Sequence, residues 1–141
     1  MPTAVHFFYL KPFPAFRERN KLRSFLPRIF KAEKKTLGKL NYIFCSDTYL
    51  LEINKNYLQH DYYTDIITFN LSANHGIIEG EIYISVDRIR DNAQKQAVSI
   101  REETHRVIFH GALHLCGYKD KTRMDKDNMT RMEDKYLRLY L

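Results

Sequence analysis

Short runs of β-branched and aromatic residues alternate along the chain with longer segments in which apolar residues recur every third or fourth position. The short runs are typical of β-strands, and the longer periodic segments are typical of amphipathic helices. Four strands are predicted, at residues 4–10, 40–46, 65–71 and 80–86, with a loop around residues 73–76 between the last two. The second half of the chain is mostly helical, so the pattern predicts an α+β protein.

Five helices are predicted, and local residues mark where the first three begin. The first covers about residues 20–34, and Pro27 inside it predicts a kink or an early end. Ser46 or Asp47 can cap the second helix, and Asp87 can open the third, which runs to about residue 97. The first helix has one apolar face, formed by Leu22, Phe25, Leu26, Ile29 and Phe30.

The fourth predicted helix is the most apolar and should therefore be the central, buried one. Ser99 and Glu102 have the spacing of a capping box at its start, and Gly117 suits a left-handed C-terminal cap at its end. Thr122 and Asp125 can begin the fifth helix, which ends near residue 140. The apolar surface of the fourth helix includes Val107, Ile108, Leu113 and Leu115.

Length and composition predict one domain over residues 1–141, because 141 residues suit a single hydrophobic core. The first residues lack the basic start and the cleavage signature of a signal peptide, and no segment approaches the roughly 18 apolar residues of a membrane span. Cys45 and Cys116 are the only two cysteines, too few for a disulfide scaffold, although one disulfide stays possible. A cytoplasmic protein is therefore expected.

Positive charge is concentrated at the beginning of the chain. Residues 1–40 hold ten Lys and Arg against two Glu, whereas the remaining residues hold thirteen basic and fifteen acidic side chains. A basic block beside a nearly neutral body is compatible with a polyanionic partner, because Lys and Arg that neutralise phosphates release counterions. A solvated helix face explains the same charges, and charge alone favours that simpler explanation.

The candidate chemistry lies in the stretch HGALHLCGYKD, residues 110–120. His110 and His114 are four apart on the fourth helix, so both imidazoles project from one face and can share a metal ion. A turn at Gly117 can bring Asp120 back towards them as a third ligand. Zinc takes such sites in hydrolases, and ferrous iron also accepts two histidines and a carboxylate. Two neutral histidines buried in a core would show the same spacing.

Gly111 argues against a zinc-peptidase site. A zinc peptidase helix carries its general-base glutamate at this position, in the pattern H-E-x-x-H. A glycine inside a helix costs about 1 kcal/mol relative to alanine, which a packing or functional need should offset. We interpret Gly111 as leaving room beside the imidazole of His110. A metal-dependent peptidase or another hydrolase remains an alternative, disfavoured by the missing glutamate.

These residues resemble the YbeY-type metallo-endoribonucleases of bacteria, whose signature is H-G-x-L-H-L-x-G-Y-D-H. The chain has H-G-A-L-H-L-C-G-Y-K-D at residues 110–120. Residues 53–69, I-N-K-N-Y-L-Q-H-D-Y-Y-T-D-I-I-T-F, are similar to the family pattern L-N-x-x-Y-R-x-x-D-x-P-T-D-V-L-S-F. Residues 80–85, G-E-I-Y-I-S, resemble its G-D-I-x-I-S strand. The resemblance covers roughly residues 40–125.

The resemblance implies a fold and a ligand set. It implies a single domain with an about four-stranded mixed sheet packed against helices around a central metal-binding helix. His110 and His114 match the family's first two zinc ligands, and Asp120 stands where the family has a third histidine. One zinc ion per chain is implied, and an oxygen ligand makes another divalent ion such as Fe²⁺ or Ni²⁺ a second expectation.

The activity implied is that of a single-strand-specific, metal-dependent endoribonuclease. Its role would be maturation of the 3′ end of 16S ribosomal RNA and ribosome quality control. Its expected partners are ribosomal RNA and the ribosome or small-subunit proteins, with no membrane. A non-catalytic ribosome-assembly factor is the remaining alternative, in which the metal only ties the Asp120 turn to the helix.

One departure from the family pattern changes the expected charge near the metal. The arginine that follows the tyrosine of the family's second block is Leu58 here. A positive charge associated with RNA binding is therefore missing. His60, two residues further on, or Lys119, beside the third ligand, is expected to supply it as an RNA-binding residue.

The sequence names no general base with certainty. Asp65 and Glu81 are the catalytic candidates, because both lie in strand blocks shared with the family. Thr64 is expected to bond backbone near the site. Tyr62 and Tyr63 offer surfaces on which unpaired bases could stack, although packing is the commoner role of such residues.

Overall fold

The computed structural model describes residues 4–60, 63–73 and 76–141. Within these ranges the four predicted strands and five predicted helices are present. In chain order they are β1 (Val5–Tyr9), α1 (Arg19–Ala32), β2 (Thr36–Cys45), α2 (Asp47–Leu58), β3 (Ile66–Asn70), β4 (Ile77–Ser85), α3 (Val86–Gln96), α4 (Ile100–Leu115) and α5 (Arg123–Tyr140).

The strands form one mixed sheet in the order β1-β2-β4-β3. β2 pairs in parallel with both β1 and β4, whereas β3 pairs antiparallel with β4 and forms one edge of the sheet. The expected α+β class with a four-stranded mixed sheet is confirmed. Because β3 is an edge strand, the residues at its beginning can line an open cleft beside the helices.

The larger core lies between the sheet and α1, α4 and α5. Alternate residues of β4, such as Ile82 and Ile84, face this side together with buried residues of α4. The phenol of Tyr42 in β2 is fully buried and donates a hydrogen bond of 2.8 Å to the carbonyl of Ile108 in α4. On the other face, α2 packs through a smaller core that includes Leu50 and Ile67. The histidine-bearing helix is therefore the central, buried helix that its composition predicts.

Gly111 allows α4 to approach the sheet. A Cβ atom at this position would lie 2.8 and 2.9 Å from Ile82 side-chain carbons and 3.1 Å from Cδ1 of Ile66. The glycine therefore faces β3 and β4, which corrects the interpretation that it makes room for the imidazole of His110. The need that offsets its poor helix propensity is helix-to-sheet packing.

Replacing Gly111 by alanine is expected to lower the free energy of unfolding by about 1 kcal/mol or more. Overpacking of a buried site typically costs about 1–3 kcal/mol, and the gain of about 1 kcal/mol in helix propensity offsets only part of that cost. Urea unfolding followed by circular dichroism measures the difference. A more stable variant would show that Ile82 and Ile66 move aside without cost.

Several predicted boundaries differ from the structure. α1 continues through Pro27, so the predicted early end is wrong. The helix is retained because Phe25, Leu26, Ile29 and Phe30 on both sides of the proline are buried. β2 and β4 begin at Thr36 and Ile77, earlier than predicted, because these two residues pair with each other.

The ends of the helices follow the predicted caps with one change. The Ser46 hydroxyl accepts the Tyr49 N–H at the start of α2, and the Ser99 hydroxyl accepts the Glu102 N–H at the start of α4. Thr122 and Asp125 form a complete capping box on α5. α3 is capped by Ser85, and Asp87 lies inside its first turn instead of opening it. Among the described helices, none combines the length and apolar character that crossing a bilayer requires.

Candidate metal centre

The last turn of α4 brings the three predicted ligands together. Gly117 has a φ of +109°, so it occupies the left-handed conformation predicted for it. The Tyr118 N–H donates to the Leu113 carbonyl and the Gly117 N–H donates to the His114 carbonyl, both at 3.0 Å. These two bonds form a Schellman motif, which reverses the chain directly after α4. Asp120 is thereby returned to the face of α4 that carries the histidines.

The ligand atoms of His110, His114 and Asp120 all lie within 4.8 Å of one another. One carboxylate oxygen of Asp120 is 3.3 Å from Nε2 of His110 and 3.2 Å from Nε2 of His114. In a tetrahedral zinc site with bonds of about 2.0–2.1 Å, neighbouring ligand atoms are about 3.4 Å apart. The observed separations therefore suit a small divalent ion placed between the three side chains.

In each imidazole the other nitrogen, Nδ1, already has a hydrogen-bond partner. Nδ1 of His110 lies 2.6 Å from a carboxylate oxygen of Glu133, and Nδ1 of His114 lies 2.9 Å from the carbonyl oxygen of Tyr118. Both partners can only accept, so Nδ1 carries the hydrogen in each ring. When the rings are neutral, the lone pairs of both Nε2 atoms are directed at the Asp120 carboxylate. A cation between the three groups would relieve the repulsion between the Nε2 lone pairs and the carboxylate. The donor set therefore fits a metal ion.

Glu133 is a candidate site residue that the sequence analysis did not identify. Its side chain is only 8% exposed, and it accepts hydrogen bonds from His110 at 2.6 Å and from Arg106 at 3.0 Å. A carboxylate on the outer nitrogen of a metal-binding histidine fixes the orientation of the ring and raises its basicity. The sequence contained a sign of this role. Glu133 falls on the apolar face of α5 defined by Met129, Tyr136 and Tyr140.

Replacing Glu133 by glutamine is expected to weaken metal binding by about 10- to 100-fold, the range typical for loss of such an outer partner. Competition with a chromophoric chelator measures the affinity. Asp134 provides a matched control, because it also binds Arg106, at 2.7 Å, but contacts neither histidine. Asp134→Asn should leave the affinity unchanged, and an equal loss in both variants would refute the role given to Glu133.

The acidic residues beneath the histidines influence one another. Burial lowers the pKa of His110, but its hydrogen bond to Glu133 and the charges of the nearby carboxylates outweigh burial, so the pKa is raised overall. Burial raises the pKa of Asp65, although His110 opposes this shift. Glu103 is 3% exposed, and burial together with Asp65 raises its pKa to about 7. Two carboxyls near the histidines, those of Asp65 and Glu103, therefore hold protons more tightly than usual.

The raised pKa of Glu103 predicts a specific dependence of stability on pH. The folded state binds the proton more tightly, with a pKa of about 7 against an ordinary 4.5. The contribution of Glu103 to the free energy of unfolding is therefore full below about pH 4.5. It falls by up to about 3 kcal/mol as the pH rises through 7. Glu103→Gln should remove this loss between about pH 4.5 and 8. Chemical unfolding at several pH values measures it, and Glu102→Gln should keep the wild-type slope.

The three ligands open into a cleft of about 510 Å³. His110 and His114 are 21% and 25% exposed at their side chains, so the site can be reached from solvent. The cleft is also lined by Leu58, His60 and other residues from the end of α2 to the end of β3. The structure therefore brings His60 and the position of the missing arginine to the same wall as the metal ligands.

The remaining predicted site residues divide between the cleft and other surfaces. Asp65 lines the cleft, as does Thr64, whose hydroxyl donates to the Ile66 carbonyl at 3.3 Å as expected. Lys119 is exposed and is not among the cleft-lining residues. Tyr63 is half exposed and stacks beneath the guanidinium of Arg88, 5.0 Å from the ring centre. The prediction for Tyr62 lies outside the described residues.

Glu81 is not brought to the metal ligands. It pairs with Phe69 across the sheet, and both side chains line a second pocket of about 300 Å³ on the side covered by α2. Its neighbours in β4, Gly80 and Ile82, face α4 instead. Of the two catalytic candidates, only Asp65 lies in the cleft that contains the histidines.

Comparisons with known proteins show the family of the chain. The sequence model of the family described as Endoribonuclease YbeY matches residues 13–140. The chain belongs to the YbeY family. It is 54% identical over 123 residues to the protein named Endoribonuclease YbeY from Cytophaga hutchinsonii, covering 87% of this chain and 86% of that protein. It is 46% identical to the YbeY protein of Flavobacterium psychrophilum, with 88% of each chain covered.

The similarity to YbeY proteins extends over nearly the whole chain in other matches. The YbeY protein of Christiangramia forsetii is 39% identical over 136 residues, covering 96% of this chain and 94% of that protein. The fold resembles the solution structure of TM1509 from Thermotoga maritima, with a TM-score of 0.66, 24% identity, and coverage of 96% and 88%. The resemblance in the three sequence blocks therefore corresponds to shared architecture, and membership of the YbeY family is confirmed.

Proposed function

We propose that this YbeY-family chain is a single-strand-specific, zinc-dependent endoribonuclease that matures the 3′ end of 16S ribosomal RNA and takes part in ribosome quality control. The observation that carries the proposal is the convergence of His110, His114 and Asp120 in an open cleft. The names of the relatives supply the class of substrate. Such a protein would work in the cytoplasm with ribosomal RNA, the ribosome and small-subunit proteins as its partners.

The three ligands and Glu133 would hold the metal ion. When bound, zinc supplies Lewis acidity towards a phosphate oxygen and acidifies water near neutral pH. Nε2 of each histidine and the Asp120 carboxylate provide the three bonds, and the Glu133 carboxylate fixes the ring of His110. The oxygen ligand also suits Fe²⁺ or Ni²⁺, which are the second choice of metal.

Asp65 is the residue proposed to accept the proton of the attacking water. It lines the same cleft as the histidines, and burial raises its pKa towards the range of an efficient general base. Glu81, on the other side of the sheet, has no part in the reaction. Proton transfer therefore rests on the residue just before β3, whereas a zinc peptidase uses a glutamate on its helix.

The shape of the cleft supports a single-stranded substrate. The metal-binding histidines are only 21% and 25% exposed, so a phosphate must enter the cleft to reach them. A flexible strand can bend a phosphate inwards and turn its bases outwards, whereas a stiff duplex cannot. His60 lines the entrance and is proposed to contact RNA, but Lys119 lies off the cleft wall.

Cleavage of a single-stranded RNA oligonucleotide and of its duplex tests the proposal. Internal cleavage of the single strand is expected to disappear with a chelator and to return with zinc, while the duplex stays intact. Unprocessed small ribosomal subunits should then lose the extra 3′ sequence. Digestion of casein would instead support a peptidase, and bound metal without any RNA cleavage would support an assembly factor.

A further inference from the structure

A depression of about 640 Å³, separate from the pocket that contains Glu81, adjoins the metal cleft. The two share Asn70, at the end of β3, and Leu115, in the last turn of α4. Lys34 and Lys35, from the turn between α1 and β2, form part of its wall. A strand that leaves the metal cleft past Asn70 and Leu115 therefore meets two lysines.

The charges of the cleft and the depression are complementary. Among the described residues, the metal cleft is lined by Asp65 and Asp120 but by no Lys or Arg, whereas the depression contains Lys34 and Lys35 but no acidic side chain. A polyanionic strand needs positive charge somewhere near the metal. The depression is the neighbouring surface that supplies it.

The two lysines form no ion pair with the carboxylate that precedes them in the chain. Glu33 precedes them in the chain, but its side chain accepts hydrogen bonds from the phenols of Tyr118 and Tyr136. Within the described ranges neither Lys34 nor Lys35 forms an ion pair. Most other basic residues of this part of the chain bind elsewhere; Lys11, for example, pairs with Asp87, and Lys21 donates to the Tyr140 carbonyl.

The backbone holds the lysines in a defined place. The Lys35 N–H donates to the Phe30 carbonyl at 2.8 Å, and the Lys34 N–H donates to the Lys31 carbonyl at 3.0 Å. Lys34 has a φ of +61°, a left-handed conformation in which glycine is favoured.

We propose that this depression is a phosphate-binding subsite in which Lys34 and Lys35 hold the backbone of single-stranded RNA beside the metal centre. The polar groups of Asn70 and Ser72 and the open space at Gly117 complete its surface. This assignment rests on the proposed nuclease function, because it extends the path of the same substrate.

Binding of single-stranded oligothymidylate to the intact protein tests the subsite, because an endoribonuclease can bind DNA without cutting it. The test variant combines Lys34→Gly with Lys35→Gln, since glycine suits the left-handed position and keeps the fold. The control combines Lys31→Gln with Lys126→Gln, two exposed lysines outside both cavities. Fluorescence anisotropy is measured over a range of salt concentrations, with oligomers of three and about ten nucleotides.

The test variant is expected to bind the longer oligomer about tenfold more weakly than the control does. Loss of two phosphate contacts should also reduce the slope of log K against log salt by about 1.4. Because Lys34 and Lys35 supply the positive charge, the three-nucleotide oligomer should also bind the test variant more weakly than the control. Equal binding and equal slopes with the longer oligomer would overturn the subsite.

Failure of the subsite can be told apart from failure of the nuclease. If the wild type cleaves RNA but the test variant binds like the control, the subsite is wrong and the nuclease stands. If no RNA is cleaved but the test variant loses affinity and salt dependence, the subsite stands as a polyanion site and the nuclease is wrong.

Discussion

Replacing His114 by alanine is expected to lower the rate of RNA cleavage at least about a thousandfold and to remove the bound metal. A catalytic ion contributes several kcal/mol to stabilising the transition state, and about 4 kcal/mol corresponds to a thousandfold change in rate. His110, His114 and Asp120 each supply one ligand atom, so the loss of His114 leaves two. Steady-state cleavage of a single-stranded oligonucleotide and metal analysis of the same sample measure both effects.

His6 offers a matched control for this substitution. It is an exposed histidine of β1, which lies at the opposite edge of the sheet from β3. His6→Ala should keep both the metal and the cleavage rate. If His114→Ala lost the metal but kept full cleavage, the ion would be structural, and the catalytic role given to the centre would be wrong.

The second large effect is expected for Asp65→Asn, which should reduce cleavage by about a hundredfold to ten-thousandfold, the usual contribution of a general base. The carboxylate accepts a proton that the amide cannot accept, while the three metal ligands are unchanged. The variant should therefore still bind one metal ion. Its pH profile is the more specific readout, because the limb governed by Asp65 should disappear.

Glu81→Gln is the control for that experiment. Glu81 has the same type of side chain on the neighbouring strand but lines the pocket on the α2 side. It should retain wild-type cleavage and the wild-type pH profile. A large loss in Glu81→Gln together with normal activity in Asp65→Asn would reverse the assignment of the base.

The sequence was sufficient for the parts of the site that depend on local structure. The four-residue spacing of His110 and His114 placed both on one face of a helix, and Gly117 predicted the turn that returns Asp120. Both features are decided within eleven residues, so no knowledge of the tertiary fold is required. The resemblance added the sheet, whose strand order cannot be derived from periodicity.

The predictions that were wrong or missing concern residues whose role depends on which surfaces of the fold pack together. Alternation along β4 shows that Glu81 and Ile82 face opposite sides, but only packing decides which side carries α4. Glu133 reaches His110 because α5 packs on α4, and the two residues are 23 positions apart. The helix position of Gly111 indicated a packing or functional need. Its contact with Ile82 could not be predicted, because it forms only when α4 packs on the sheet.

The most direct test of the central claim is the rate of single-stranded RNA cleavage by metal-free protein titrated with zinc, with Asp120→Ala protein titrated in parallel. The wild-type rate is expected to rise in proportion to added zinc and to level off at about one ion per chain, while the variant stays inactive at the same concentrations. Full cleavage by metal-free wild type, or an equal response in Asp120→Ala, would contradict a catalytic metal held by His110, His114 and Asp120.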